Sequence, residues 1–587
     1  MLLHLRVCTH RLTLVDGGLR LRPHEDFFVT VGQSDVSPPR IEVDHLRFLN
    51  HAHVLQGTRL CLYLDPSREW DPADGFGSFI DRFMEWLSDA AAGRFNAQSA
   101  LYHAVGGVLH ETEGAPSVVV RDSIPAQSLI RHSWLIQRAP MRYDLTLERQ
   151  LAQDASLSTP VEHAPLIQLD AALPLGAGET LASLLSLVED PYAGYRSSSD
   201  VFAAKRFSTG YSVPLLSTLA ASAIRKADGT PQRLVIAVPH PTGGPPHLLI
   251  ASIPSTGADQ VRALVHADKG RSSSIDINPA AVDSAIETVW LPVSDERPEV
   301  TTRRDSTRPV SSFVGKSVHV WGCGGLGSWI AEFVVRAGAT KVVLCDPGRI
   351  TGGLLARQNF LEADVGAPKV EALATRLRAI SDVVEVVTRA THLPDASDFA
   401  DADVIIDATI SIAVGRVLDA AAAMEGRPLF AQVACDVRTG TLGILSVSMP
   451  PERAGCLTID QQAGHIVRAD GALEPFHELW GSETDTAEII PTRGCSTPTY
   501  HGSAADMCGI AASLTSLIGS HLGSSEPVSG THLISLSHGE AGPLRSFVPV
   551  SRIKTPAESG DPSEYRGNDE KYELSKDQAE GVHCESD

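Results

Sequence analysis

No stretch of this sequence is apolar over the roughly 18 residues that a membrane helix requires, and the N-terminus is broken by His4, Arg6 and His10 before the apolar core of a secretory signal could form. A cytoplasmic protein without a membrane partner is expected. Basic charge is also scarce. Forty-nine Lys and Arg stand against 71 Asp and Glu, a formal charge of -22, which excludes grasping a nucleic-acid backbone through its phosphates. Any nucleotide must sit in a local pocket. Of the nine cysteines none forms a Cys-x-x-Cys pair, which excludes both a disulfide scaffold and a paired zinc cluster. Each thiol has to be judged alone.

What is present is an ordinary globular composition, 43% hydrophobic and 20% charged, in 587 residues. That is too much chain for one core, so an α/β multidomain protein is expected. Residues 1–125 read as short strands followed by a helix. Phe27-Phe-Val-Thr-Val and Ile41-Glu-Val-Asp-His-Leu alternate with the period of a strand, and Phe79 to Ala91 carries apolar residues at helical spacing. A middle α/β region, 150–295, contains strand-like runs at Leu234-Val-Ile-Ala-Val and His247-Leu-Leu-Ile-Ala-Ser-Ile. Ser294 to Pro309 is polar and rich in Arg and Thr, as a linker or arm would be. Strands, glycine turns and helices then alternate as in a doubly wound sheet, giving a domain over 300–554. The acidic tail 555–587 has almost no apolar residues and is expected to be disordered.

The strand Ser317-Val-His-Val-Trp runs into Gly322-Cys-Gly324-Gly325-Leu-Gly327 and a helix. Such glycines let backbone amides approach a polyphosphate at a helix N-terminus. Taken alone, the turn fits dehydrogenase-type dinucleotide binding best. Asp346 ends the next strand, where an acidic residue accepts hydrogen bonds from a ribose.

The following residues, Leu354-Leu-Ala-Arg357-Gln-Asn and Gly366-Ala-Pro-Lys369, resemble the adenylating family that includes the ubiquitin-activating enzymes, ThiF and MoeB. The resemblance implies a Rossmann-like adenylation domain that uses ATP with Mg2+. It assigns Arg357 and Lys369 to the phosphates, where two cations would stabilise charge on departing pyrophosphate. Two positions depart from the family pattern. Leu354 replaces its Asn, and Ile410 stands in Asp407-Ala-Thr-Ile-Ser where the family has a carboxylate, leaving Asp407 as the nearest candidate for the metal. A homodimer is expected, with Arg303, Arg304 or Arg308 available to a neighbouring site. Cys495, in Arg-Gly-Cys-Ser-Thr-Pro before a helix, resembles the thioester cysteine of ubiquitin-activating enzymes, and a helix N-terminus would lower its pKa. Cys456 and Cys508 read as packing residues.

The N-terminal order of strand, Pro38-Pro39, His51-Ala-His53, Gly57, Cys61-Leu and Trp70-Asp-Pro72 resembles the ubiquitin-conjugating family, an α+β fold, although too few residues precede Phe27 for that family's first helix. The resemblance implies that Cys61 carries a thioester. His51 takes the place of the family's His and His53 that of its Asn, whose side chain supports the oxyanion formed when lysine attacks. An N–H of His53 could donate the same bond, with a strength set by its protonation. A His-x-His metal pair has no third ligand at suggestive spacing.

This order of modules resembles the fused enzymes of bacterial antiphage CBASS operons. It implies an acyl donor, the C-terminal tail of a ubiquitin-like protein or of a CD-NTase-type cyclase, passing from adenylate to Cys495, to Cys61 and to a lysine-bearing target. Two other readings stay open: a sulfur-carrier or peptide adenylyltransferase with an inert N-terminal module, and a non-catalytic scaffold for a ubiquitin-like partner.

Overall fold

The computed structural model describes residues 1–45, 47–48, 51–55, 58–63, 65–95, 114–125, 130–155, 159–170, 178–190, 210–239, 244–268, 278–301, 303–391, 393–409, 411–481, 502–526, 528–539 and 542–550. The chain divides into two compact units, Met1–Thr302 and Arg303–Asp587.

The first unit opens with a five-stranded antiparallel sheet. Its strands β1 Leu2–Cys8, β2 His24–Thr30, β3 Arg40–Glu42, β4 Val54–Leu55 and β5 Arg59–Leu60 lie in the order β1-β2-β3-β5-β4. Alternation along β2 turns Glu25, Phe27 and Val29 inward, which is what a period of two imposes. The short helix α1 Pro66–Glu69 leads to α2 Gly75–Ala91. Phe79, Phe83, Trp86, Leu87 and Ala90 of α2 recur every three or four residues and are buried, so one apolar stripe covers the sheet's inner face. Helix and sheet share a core with Phe27, Ile41, Phe48 and Leu60.

An eight-stranded sheet follows in the same unit. It uses β6 Ser117–Val120, β7 Ile130–Ala139, β8 Arg142–Thr146, β9 Val161–Gln168, β10 Gln232–Val238, β11 His247–Ile253, β12 Val289–Leu291 and β13 Val293–Asp295, in the order β12-β11-β10-β9-β7-β8-β6-β13. The expected strands at 234–238 and 247–253 are β10 and β11. Two features differ from the sequence reading. β6, from the expected first segment, pairs with β8 and β13 of this sheet. The polar stretch from Ser294 is no free linker at its start. Ser294 and Asp295 lie in β13, and Arg297 has 0% exposure, held by the Asp295 carboxylate and the Pro246 carbonyl. Paired charge is what allowed an arginine there to be buried.

The second unit is built on β14 Ser317–Trp321, β15 Lys341–Cys345, β16 Glu385–Arg389, β17 Val404–Asp407, β18 Leu429–Cys435, β19 Leu442–Ser448, β20 Gly530–Ser535 and β21 Arg545–Pro549. The order is β16-β15-β14-β17-β18-β19-β20-β21. The first five strands are mutually parallel, and the last three extend the sheet antiparallel. Strands β14, β15, β17 and β19 are almost continuously apolar and buried, as strands covered on both faces must be. Helices α3 Gly327–Arg336, α4 Lys369–Ile380 and α5 Ala504–Leu522 contribute Ile330, Leu373 and Leu514 to the core on one face. The strand order reverses between β14 and β17, and crevices at such switch points hold ligands. Among the described residues no helix is long and apolar enough to cross a membrane.

Candidate functional site

Beside that switch point β14 ends in the glycine turn. Gly322 has φ +85°, and a side chain on it would meet the Ala408 carbonyl at 2.8 Å; one on Gly327 would overlap the Gly322 carbonyl oxygen. Glycine is therefore imposed by the fold at both positions. At Gly324 nothing stands within 4 Å of an added Cβ, so its backbone faces open space. Gly325 lies in the same turn, and α3 begins at Gly327 with its N-terminus toward it.

Asp346 braces the turn. Its carboxylate accepts from the Cys323 amide at 2.8 Å and the Gly348 amide at 2.6 Å, and Lys369 Nζ stands 3.7 Å away. Lys369 opens α4, and its own amide donates to the Gly348 carbonyl. Arg357 is 8% exposed, and its carbonyl accepts from Trp329 of α3 at 3.3 Å. The segment carrying it is fixed by residues that the motifs alone did not single out. Glu332, buried on α3, accepts from Asn359 Nδ2 at 2.7 Å, from Arg376 Nε at 2.7 Å and from Arg336 Nε at 2.8 Å. The Glu332/Arg336 spacing of four on the helix after the glycine turn was the available signal. Leu354, in place of the family's Asn, is buried.

Asp407 ends β17, adjacent to β14, with 0% exposure. Desolvation pushes its carboxyl up to about 6, against hydrogen bonds from the Thr409 hydroxyl and amide and from Gln432. Arg303 donates to Asp305 and to the Arg336 carbonyl, so its guanidinium is engaged inside its own unit; Arg304 and Arg308 are exposed. Cys456 is buried against the Phe430 carbonyl, in keeping with packing. Cys495 and Ile410 lie outside the described residues.

In the first unit Cys61 follows β5, half-buried, and its amide donates to the His53 carbonyl at 2.9 Å. His53, Cys61, Arg82, Glu85, Trp86 and Phe95 are among the residues lining one cavity of about 130 Å³. Burial raises the Cys61 thiol above its ordinary value, while Arg59 pulls the other way. His53 is 8% exposed with φ +60°. Its ring meets Phe95 edge-on at 4.8 Å, and Phe95 also contacts His51 at 6.1 Å. Burial holds the His51 imidazole below its ordinary value. The structure thus brings His53 and Cys61 to one cavity, while His51 meets it only through Phe95. Arg82, Trp86 and Phe95 had no sequence signal beyond the apolar stripe of α2.

Comparison with known proteins agrees with this division. Residues 312–518 match the ThiF family, 143–296 the Cap2 central linker domain, and 7–105 the prokaryotic E2 family A. The sulfur carrier protein ThiS adenylyltransferase of Escherichia coli is 27% identical over 189 residues, 31% of this chain and 74% of that protein. The adenylyltransferase and sulfurtransferase MOCS3 of Sus scrofa is 33% identical over 117 residues, 19% of this chain and 26% of its own length, so the chain spans about a quarter of that relative. The solved structure of E. coli MccB with ATP aligns at 17% identity and a TM-score of 0.30, covering 42% of this chain and 67% of that one. The second unit is a ThiF-type Rossmann-like domain and the first opens with an E2-like domain. With the Cap2 linker between them, the chain has the makeup of the fused E2-like/ThiF enzymes of CBASS-type operons.

Proposed function

We propose that this chain adenylates the C-terminal carboxylate of a ubiquitin-like protein or a CD-NTase-type cyclase, passes the acyl group through Cys495 to Cys61, and joins it to a lysine amine in antiviral defence. In place of the expected bounds 1–125 and 150–295, we end the first domain before β6 and let the middle one run from β6 to β13, because these strands share one sheet; 300–554 and the tail 555–587 complete the division. The observation that carries the reading is the closeness of Lys369 and Asp346, 3.7 Å apart at the glycine turn. An anionic group suited to ribose hydroxyls and a cationic one suited to phosphate would thereby stand side by side, as a bound ATP requires. In this reading Asp346 takes the ribose hydroxyls, and the turn's amides with Lys369 and Arg357 take the phosphates. Their charge favours departure of pyrophosphate when the carboxylate attacks. Mg2+ would supply further charge neutralisation. The chain offers it Asp407, already hydrogen-bonded by Thr409 and Gln432, so the ion would lean mainly on phosphate oxygens and water, its common mode. Arg304 or Arg308 would serve a partner in a homodimer.

The adenylate then gives its acyl group to the Cys495 sulfur, releasing AMP, and thiol exchange moves it to Cys61. ATP-pyrophosphate exchange tested against each protein encoded beside the gene should be stimulated by the true donor. Cys495→Ala should keep exchange and form no thioester. Cys61→Ala should keep a reducible adduct on Cys495 and make no amide. A Cys61→Ala enzyme that conjugates at the normal rate refutes the conjugating half. The buried Leu354 favours one second reading, a scaffold without catalysis. Absence of exchange with every neighbouring protein would select it.

A further inference from the structure

The conjugating families place an Asn, which neither gains nor loses a proton near neutral pH, where this chain has His53. Among the described residues His53 is the one non-glycine residue with positive φ. That left-handed conformation costs free energy in any residue with a Cβ, and it persists where the surroundings impose it, often at functional sites. Two contacts and burial hold it here. The His53 carbonyl accepts from the Cys61 amide at 2.9 Å, the ring is braced by Phe95 at 4.8 Å, and the residue is 8% exposed. The backbone bond ties His53 to the thiol's own residue, and both side chains line the same cavity of about 130 Å³.

We propose that His53 is a catalytic proton shuttle of the acyl transfer: its imidazole takes a proton from the attacking amine and delivers it to the Cys61 sulfur. The inference rests on the proposed function, in that Cys61 must carry the acyl group. The step balances. The amine nitrogen forms the C–N bond, the C–S bond breaks with its electron pair going to Sγ, and the proton that nitrogen loses reaches Sγ through the imidazole. No other reactant is consumed. Two chemical demands meet in the one ring. A lysine amine is largely protonated near neutral pH and must lose protons to attack and to form an amide. The Cys61 thiolate is a poor leaving group because burial raises its proton affinity, and protonation relieves that. The groups around the ring are mixed in sign. Arg82, Glu85 and Asp89 come from α2, with Arg82 paired to Glu85 and to Glu69 and Asp89 to Arg94, while His51 shares the Phe95 contact. Both carboxylates thus have arginine partners. The imidazole is the group that shares both the cavity and a backbone hydrogen bond with Cys61.

The test uses the full-length chain and a synthetic peptide thioester ending in glycine. Thiol exchange charges Cys61, free lysine then discharges it, and peptide mapping follows the Cys61 adduct. His53→Asn keeps a side-chain donor and a residue type that tolerates left-handed backbone, yet cannot shuttle a proton. It should discharge about a hundredfold slower or more. The ratio of wild-type to variant rates should rise with pH through the titration of an imidazole, because only the neutral ring accepts a proton. His53→Gly removes the ring without backbone strain and should be rescued by added imidazole. Equal rates and pH profiles for wild type and His53→Asn would overturn the inference, leaving His53 as a hydrogen-bond donor only. A Cys61 that accepts no acyl group from the thioester would overturn it too. Failure of ATP-driven charging, with normal discharge after synthetic charging, would instead fault the proposed function.

Discussion

Each unit buries a carboxylate, and the two environments send them in opposite directions. Glu25 points inward from β2 beside Phe27 and Val29. Desolvation alone would raise it. Hydrogen bonds from His45, from Arg47 at 2.6 and 2.9 Å and from the Arg22 amide at 2.5 Å overcome that and hold it at about 2. Asp407 is as deeply buried at the end of β17, but neutral donors alone meet it, and desolvation carries it up to about 6. Where a charge serves the fold, the sequence supplies a cation with it. Asp407 has Thr409 and Gln432 instead, while Lys369 and Arg357 stand at the glycine turn and beyond it. A carboxylate left uncompensated at a strand end is a usual mark of a site that awaits a ligand.

The largest effect should come from those cations. If they serve a nucleotide, Arg357→Ala and Lys369→Ala should each lower pyrophosphate exchange about a hundredfold or more, about 2 to 4 kcal/mol of transition-state stabilisation, while leaving the fold intact. Either variant exchanging near the wild-type rate would break the contrast, because the second unit's cations would then be as structural as Arg47.

Next in size is the structural carboxylate itself. A folded-state value of about 2 against an ordinary 4.5 contributes about 3 kcal/mol of stability to the folded state. A depressed carboxyl contributes fully above pH 4.5 and loses that contribution as pH falls toward 2. Glu25→Gln should therefore destabilise the first unit by about that much at pH 7, and denaturation curves of variant and wild type should converge as pH drops from 4.5 toward 2. A constant difference across that range would show that the loss is steric.

The two carboxylates also mark what could be read from sequence. The period of two along β2 was visible, but Glu25 at an inward position was not, since its partners His45 and Arg47 come from after β3 and no local pattern announces the pairing. The glycine turn, Asp346 and the Arg-Gln and Pro-Lys motifs were legible because they are contiguous and chemically narrow. Glu332, Asn359 and Arg376, which fix the Arg357 segment, are brought together from two helices and a loop. Polarity misled at Ser294, where exposure was expected of a segment whose Arg297 is buried against Asp295. The left-handed backbone of His53 had no signature at all.

The smallest expected effect concerns Asp407, and its sign is the opposite of Glu25. A carboxyl whose folded value is raised, here from 3.8 to about 6, favours the folded state most below pH 3.8. That advantage is lost as pH rises from 3.8 to 6, beyond which the buried ionised group is a constant burden. Asn at this position is neutral throughout and can still accept from the Thr409 amide and hydroxyl. Its Nδ2 would face Gln432 Nε2, where the wild type has a hydrogen bond at 3.4 Å, a loss of about 1 kcal/mol. Set against the roughly 3 kcal/mol that two pKa units represent, Asp407→Asn should stabilise the second unit by about 2 kcal/mol at pH 8. Below pH 4 the gain should vanish, leaving only the small cost at Gln432. Calorimetry of the full chain at pH 8 and pH 4 reads both limits. A variant less stable than wild type at pH 8 would mean that Asp407 does have a compensating charge and belongs with Glu25. A variant that is more stable and also impaired in exchange would place the carboxylate where stability is given up for chemistry.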